Sequence, residues 1–160
     1  MACRGVEDTV SRKQVVVVDG ESSEELSVLS GIPQGSDIGP LLFLVYINAV
    51  TNQVSSGSNT VLFADDIALY QVIASSSDYT HLQSDINSIV DWVETNHLSL
   101  HSGKCCAMLF TRRHNVCLQP LTINGNLLNF VDQYKYLGLI FCPNISWSEH
   151  INRIAIEQGD

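Results

Sequence analysis

Residues 61–70 read VLFADDIALY. Two apolar runs, 60–64 and 67–70, have only Asp65 and Asp66 between them. Each run reads as a strand, and a two-residue separation makes the pair a tight hairpin. No other stretch of the chain is constrained so closely. Neighbouring side chains within a strand point to opposite faces, but at a hairpin tip two adjacent carboxylates can be presented together. They repel, and each raises the other's pKa unless a cation stands between them. A hard divalent ion such as Mg²⁺ takes oxygen ligands of this kind and keeps waters or substrate phosphates in its remaining positions. A bare Asp-Asp between strands is most often a solvated turn. The pair becomes a candidate site only in company.

That company is the run 30–43, SGIPQGSDIGPLLF. Gly31, Gly35 and Gly39 let backbone approach a ligand closely, and Gln34 can both donate and accept hydrogen bonds. The loop opens an apolar helix. Ser36 is the expected N-cap, Pro40 falls near the first turn where proline is tolerated, and the helix is expected to run to about Val50 as a buried element. It is no Walker loop, since GK[ST] is absent, and GxGxxG is absent too.

Upstream, VVVV at 15–18 reads as a strand. Asp19-Gly20 follows as a hairpin turn, with residues 26–29 as the return strand after a longer loop. Residues 78–97 carry Leu82, Ile86, Ile89, Val90 and Val93 on one helical stripe, with Ser77 or Asp78 as the cap. After that the apolar period drops to two. Residues 106–111, 118–123, 127–131 and 134–141 read as strands, with Asn124-Gly125 as a hairpin turn. A last amphipathic segment starts near Ser148. The expected fold class is α+β, an antiparallel sheet with two main helices packed on one face.

At 160 residues the chain is about one domain long, enough for a sizeable core. Apolar residues make up 45% and charged ones only 16%, which excludes global disorder, a coiled coil and a disulfide scaffold. The net charge is −9, unevenly spread. Residues 14–103 hold eleven acidic residues and no Lys or Arg, while Lys104, Arg112, Arg113, Lys135 and Arg153 face only Asp132 and Glu149 in 104–153. A self-contained, strongly basic nucleic-acid binder is disfavoured, because the acidic part repels phosphate unless cations bridge the two.

The most apolar run, 38–50, is too short to span a membrane and contains Pro40 and Asn48. The first ten residues lack a signal-peptide stretch, so an intracellular protein is expected, in nucleus or cytoplasm. Without secretion the sequon Asn144-Ile145-Ser146 carries little meaning. Cys3, Cys105, Cys106, Cys117 and Cys142 form no CxxC and read as reduced, buried thiols. His97 and His101 flank an extended segment, a weak metal pair. His81, His114 and His150 are isolated.

In this order the segments resemble one family. SGIPQGSDIGPLLFLVYIN, VLFADDIALY, LQSDINSIVDWVETNHLSL, Lys104, YKYLGL, and Trp147 with SEHI at 148–151 resemble the reverse transcriptase of non-LTR (LINE-like) retrotransposons, over residues 12–153. The resemblance implies a right-hand polymerase, with this stretch as a partial palm. Asp65 and Asp66 match the paired catalytic aspartates that hold two Mg²⁺ ions. Pro33, Gln34, Gly35 and Ser36 match the loop lining the incoming nucleotide and the template, and Lys104 matches a lysine near the triphosphate. Tyr136, Leu137 and Gly138 match the hairpin that grips the primer end. His150 and Ile151 begin the link to the thumb. The implied partners are an RNA template, a DNA primer and dNTP, with no membrane and no oligomer evident.

The chain also departs from the family. A third carboxylate, from an upstream strand resembling F-x-D-x-x-x-A-F-D, is not found. Asp19 is the one candidate, and its context, RKQVVVVDGESS, matches instead the hairpin before the PQG loop. Asp37, Ala49 and His101 stand where the family usually has other residues. The expected layout is an unmatched segment 1–11, a partial reverse transcriptase domain 12–153 and a truncated start of the thumb at 154–160. On this reading the chain is a fragment of an RNA-directed DNA polymerase, itself inactive. The alternative is a catalytically dead remnant, or an interaction module, of a truncated element copy.

Overall fold

The computed structural model describes residues 13–28, 37–113 and 116–157. It divides into two compact units. Of the described residues, the first unit holds 13–28, 37–49 and Leu62–Asp66; the second holds Val50–Val61 and the rest from Ile67.

In the first unit, β1 (Lys13–Gln14) pairs antiparallel with β4 (Leu26–Ser27), and β2 (Val17–Val18) with β3 (Glu21–Ser22). Asp19 and Gly20 form the two-residue turn between β2 and β3, at φ +51° and +87°. Left-handed backbone at both central positions matches the twist of a hairpin, which is why Asp-Gly is favoured there. The return strand thus begins at once, at Glu21, and the expected return at 26–29 is its continuation, paired with β1. Asp19 is a turn residue. Ser23 joins the two pairs by donating its N–H to the Val16 carbonyl (2.9 Å) while its hydroxyl accepts from the Val16 N–H (3.0 Å).

Helix α1 (Gly39–Ile47) has Pro40 in its first turn and runs on as a 3₁₀ segment, Asn48–Gln53. The expected cap, Ser36, lies outside the described residues. The helix forms where expected, but it is not buried. Only Gly39 and Ile47 are, and Val45 is 74% exposed. Leu41, Leu42, Leu44, Val45 and Tyr46 spread over one wide, exposed side of the helix, opposite the side that carries Gly39, Phe43 and Ile47.

The second unit is built around α2 (Ser76–Thr95). Its N-cap is Ser75, with Asp78 at the third position rather than at the cap. The Asp78 carboxylate reaches back to accept from the backbone N–H groups of Ser75 (2.7 Å) and Ala74 (2.8 Å) and from the Ser75 hydroxyl (3.0 Å). These bonds hold its pKa below the ordinary carboxylate value. Ile89, Val90 and Val93 of the predicted stripe are buried, with Tyr79. They pack with Val50, Leu121, Ile123, Ile140 and Cys142 as the core of this unit.

The remaining strands are β5 (Ser58–Phe63), β6 (Asp66–Gln71), β7 (Cys106–Ala107), β8 (Thr122–Ile123), β9 (Asn126–Leu127), β10 (Asn129–Phe130), β11 (Tyr134–Tyr136) and β12 (Leu139–Phe141). Strands β5 and β6 are longer than the predicted 60–64 and 67–70, and the strands after them are shorter than predicted. Asn124-Gly125 makes the predicted β8–β9 turn, at φ +50° and +73°. The run 134–141 is not one strand. It folds back at Leu137-Gly138 (φ +49° and +84°) into a hairpin. Among the described residues the strands pair two by two, β7 with β10 in parallel, and three α-helices are present. The structure is compatible with the expected α+β class, with small and mostly antiparallel strand pairs beside three α-helices among the described residues, and it differs in detail because the strands pair two by two and not as one sheet. Helix α3 (Ser148–Glu157) packs on β12. Cys117, expected to be buried, is exposed.

Two polar side chains on one turn of α2 fix its neighbours. Gln83 accepts from the Thr122 N–H (2.7 Å) and donates to the Thr122 carbonyl (2.9 Å), completing the edge of β8 as a strand would. Asp85, 4% exposed, accepts from the Ser55 N–H and hydroxyl, both at 2.9 Å, just before β5. Burial pushes the Asp85 carboxyl up. Hydrogen bonds from Ser58 and Ser55, with His81 nearby, outweigh burial and leave it below the ordinary value. The Ser58 hydroxyl also reaches Gln71 (3.0 Å) and can give its single proton to only one acceptor at a time.

Asp85→Asn is expected to lower stability by about 1–3 kcal/mol, because the buried carboxylate's charge-assisted hydrogen bonds from Ser55 are lost. A depressed folded-state pKa gives stability that is full above the ordinary value of 3.8 and lost as pH falls through the folded value. Urea denaturation should show a constant gap between wild type and variant near neutrality, narrowing below about pH 4.

Candidate functional site

The turn between β5 and β6 is Ala64-Asp65, not Asp65-Asp66 as the spacing suggests. Asp66 is the first residue of β6. The frame moves by one because Ala64, at φ +51°, takes the left-handed position that a two-residue loop demands. An L-residue other than Asn or Asp is uncommon there and strained. Such strain gathers at functional sites, where surrounding structure holds it in place. The apolar neighbours Leu62 and Ile67 are half-buried, and Asp65 and Asp66 are both exposed. The tip thus offers one carboxylate from the loop and the next from the strand.

Two exposed, adjacent carboxylates are acceptor-only oxygen groups. Among the described residues the ion pair formed is Lys13–Glu25 (2.8 Å), remote in sequence from this pair. The donor set fits a hard divalent ion with open positions for water and phosphate oxygens. No group of three or more His, Cys, Asp and Glu side chains converges among the described residues, so the tip offers two carboxylates and no third group beside them.

The other predicted site residues fall in separate places. Pro33, Gln34, Gly35 and Ser36 lie outside the described residues. Lys104, in the second unit, closes a single 3₁₀ turn, Ser102–Lys104, and is exposed. Its N–H donates to the His101 carbonyl (2.9 Å). Tyr136, Leu137 and Gly138 are brought together in the β11–β12 turn. The Tyr136 hydroxyl is buried without a hydrogen-bond partner among the described residues. Burial pushes the Cys105 and Cys106 thiols up, which keeps them protonated and poor nucleophiles.

Sequence reasoning missed Gln83 and Asp85, which tie α2 to its surroundings. A signal was present. Asp85 is three residues after Leu82 and four before Ile89, so it interrupts the apolar stripe from within.

The chain belongs to the reverse transcriptase (RNA-dependent DNA polymerase) family, whose model matches residues 3–141. The match takes in residues 3–11, which the motifs leave unassigned. The chain is 32% identical over 150 residues to the RNA-directed DNA polymerase from mobile element jockey of Drosophila funebris, covering 89% of this chain and 16% of that protein. It is 29% identical to the protein of the same name from Drosophila melanogaster, over 87% of this chain and 16% of the relative. A probable RNA-directed DNA polymerase from transposon X-element, also of Drosophila melanogaster, is 26% identical over 82% of this chain and 15% of the relative. The chain thus spans about a sixth of the length of these relatives. No solved structure matches it. The resemblance to LINE-like reverse transcriptases read from the motifs is established by these relatives.

Replacing Ala64 tests the geometry of the tip. Ala64→Gly is expected to keep the fold and to raise stability by up to about 1 kcal/mol, since glycine adopts positive φ freely. Ala64→Val is expected to lower it by about 1–3 kcal/mol. Thermal denaturation of both variants against wild type gives the order.

Proposed function

We propose that the chain is part of the palm of a retrotransposon RNA-directed DNA polymerase, and that Asp65 and Asp66 hold Mg²⁺ in the complete enzyme. The observation carrying this is the strained β5–β6 tip, two adjacent exposed carboxylates in a chain of reverse transcriptase family. Bound divalent ions in such a site lower the pKa of a primer 3′-hydroxyl and neutralise a triphosphate during in-line displacement.

The protein's own residues do the rest. Asp65 and Asp66 present their oxygens from a turn whose backbone is already fixed, so little reorganisation is needed on binding. Lys104 offers a compact cation for the triphosphate. By the resemblance of the motif, Pro33, Gln34, Gly35 and Ser36 serve the incoming nucleotide and the template. The β11–β12 turn, with Tyr136, Leu137 and Gly138, holds the primer end, and the unpartnered Tyr136 hydroxyl has a proton to donate. The partners are an RNA template, a DNA primer and dNTP.

The chain is a slice of a longer polypeptide on this reading. Its relatives extend well beyond the matched region, and the third carboxylate and most of the basic surface come from the rest. No helix among the described residues is long and apolar enough to cross a membrane, and the proposed place of work is inside the cell.

The longer polypeptide containing these residues should extend a DNA primer on an RNA template in the presence of Mg²⁺. Asp65→Ala and Asp66→Ala should each lower that rate by at least about 100-fold, as removal of a ligand-level contact does. Undiminished extension in Asp65→Ala contradicts the site assignment. A longer polypeptide that extends nothing, with or without the substitution, favours the remnant reading.

A further inference from the structure

The turn that carries Lys104 is too short to hold itself. Ser102–Lys104 is one turn of 3₁₀-helix, whose hydrogen-bond geometry is poorer than that of an α-helix. Its C-terminal side is anchored. Cys105 is half-buried, and Cys106 pairs with Asn129 between β7 and β10. Its exposed part contains Gly103 and Lys104, and glycine is the residue with the most backbone freedom to lose.

His101 closes this turn twice. Its carbonyl accepts from the Lys104 N–H (2.9 Å) and from the Cys105 thiol (3.5 Å). Its ring lies back over the turn. A Cβ at position 103 would stand 3.2 Å from the His101 Cε1 and 3.4 Å from its Nδ1, closer than ordinary contact. Gly103 is not among the described glycines at positive φ, so its backbone conformation does not call for glycine. The ring does, because it occupies the space that a side chain at 103 would take. His101 also departs from the residue usual in the family, so this arrangement belongs to the chain rather than to the motif.

We propose that His101 is a positioning residue for Lys104. Its ring, seated on Gly103, takes up the freedom of the glycine and fixes the base of the Lys104 side chain. Less disorder is then lost when the ammonium meets a phosphate, and affinity rises without any new contact. What Lys104 binds, the triphosphate of dNTP, rests on the polymerase reading; the seat of the ring on Gly103 does not.

Two measurements test the seat. The first is primer extension by the longer polypeptide, read as KM for dNTP and kcat. Lys104→Ala should raise KM at least about tenfold, as loss of a charged hydrogen bond does. His101→Ala should raise it about threefold, the order expected for ordering one side chain. Its kcat and its affinity for primer and template should stay unchanged, a loss of substrate binding alone. Gly103→Ala should match it, because the added Cβ displaces the exposed ring. The two substitutions together should raise KM no further, since each removes the same contact. His101→Phe, which keeps a flat ring, should restore KM. Additive effects, a fall in kcat instead, no rescue by His101→Phe, or Lys104→Ala without effect on KM each overturn the positioning role.

The second measurement is amide hydrogen exchange in the 160-residue chain. The Lys104 and Cys105 N–H groups are both bonded within the turn. They should exchange several times faster in His101→Ala and in Gly103→Ala, with circular dichroism unchanged. Unchanged exchange overturns the seat. The two readings fail separately. A longer polypeptide that extends nothing contradicts the polymerase reading, and the exchange rates still decide the seat. Asp65-dependent extension with KM unmoved by His101→Ala contradicts the positioning role alone.

Discussion

A carboxylate that is 4% exposed must be satisfied where it sits, because an unpaired buried charge costs more than a chain of this size can spare. Asp85 is satisfied by Ser55, thirty residues earlier in the chain. Two positions before it on the same helix, Gln83 binds both backbone groups of Thr122. One turn of α2 thereby joins the start of β5 to the edge of β8. Apolar burial under Ile89, Val90 and Val93 is non-directional. These few polar bonds, which work only in one geometry, give it a register. Strand β5 begins three residues after Ser55.

Much of the fold was legible because its signals are local. Asp19-Gly20 and Asn124-Gly125 both form the turns their chemistry predicts, since Asp, Asn and Gly reach left-handed backbone at little cost. Ile89, Val90 and Val93 of the α2 stripe are buried where the period places them, and Leu82 and Ile86 are half-buried. The misreadings share one physical cause. Leu137 and Ala64 occupy left-handed positions without being turn formers, so nothing in their chemistry announces a reversal. The run 134–141 therefore reads as one strand, and the turn at the acidic tip is read one residue late. Tertiary structure imposes those conformations against local preference.

Burial and pairing were less legible than type. The helix over 39–47 is evident from its apolar run, but its exposure depends on what packs against it, and that is not encoded in the helix itself. The parallel pairing of β7 with β10 brings together segments separated by two other strands, a choice made by topology rather than by either segment's pattern. For the candidate site, the two aspartates and the primer-side hairpin could be read from motif order. The PQG loop lies outside the described residues, so its geometry adds nothing to the motif. Charge completes the division of labour. Acidic residues dominate 14–103, and Lys104, Arg112, Arg113, Lys135 and Arg153 all fall in 104–153.

The claim that most depends on this structure is that the β5–β6 tip is a divalent-ion ligand. The direct measurement is paramagnetic broadening of backbone amide signals by Mn²⁺, an ion with the same taste for oxygen ligands. Broadening centred on residues 64–67, competed by Mg²⁺ and lost in Asp65→Asn with Asp66→Asn, is the expected result. Broadening centred on another acidic stretch, such as Glu24 and Glu25, with residues 64–67 unaffected, would contradict it.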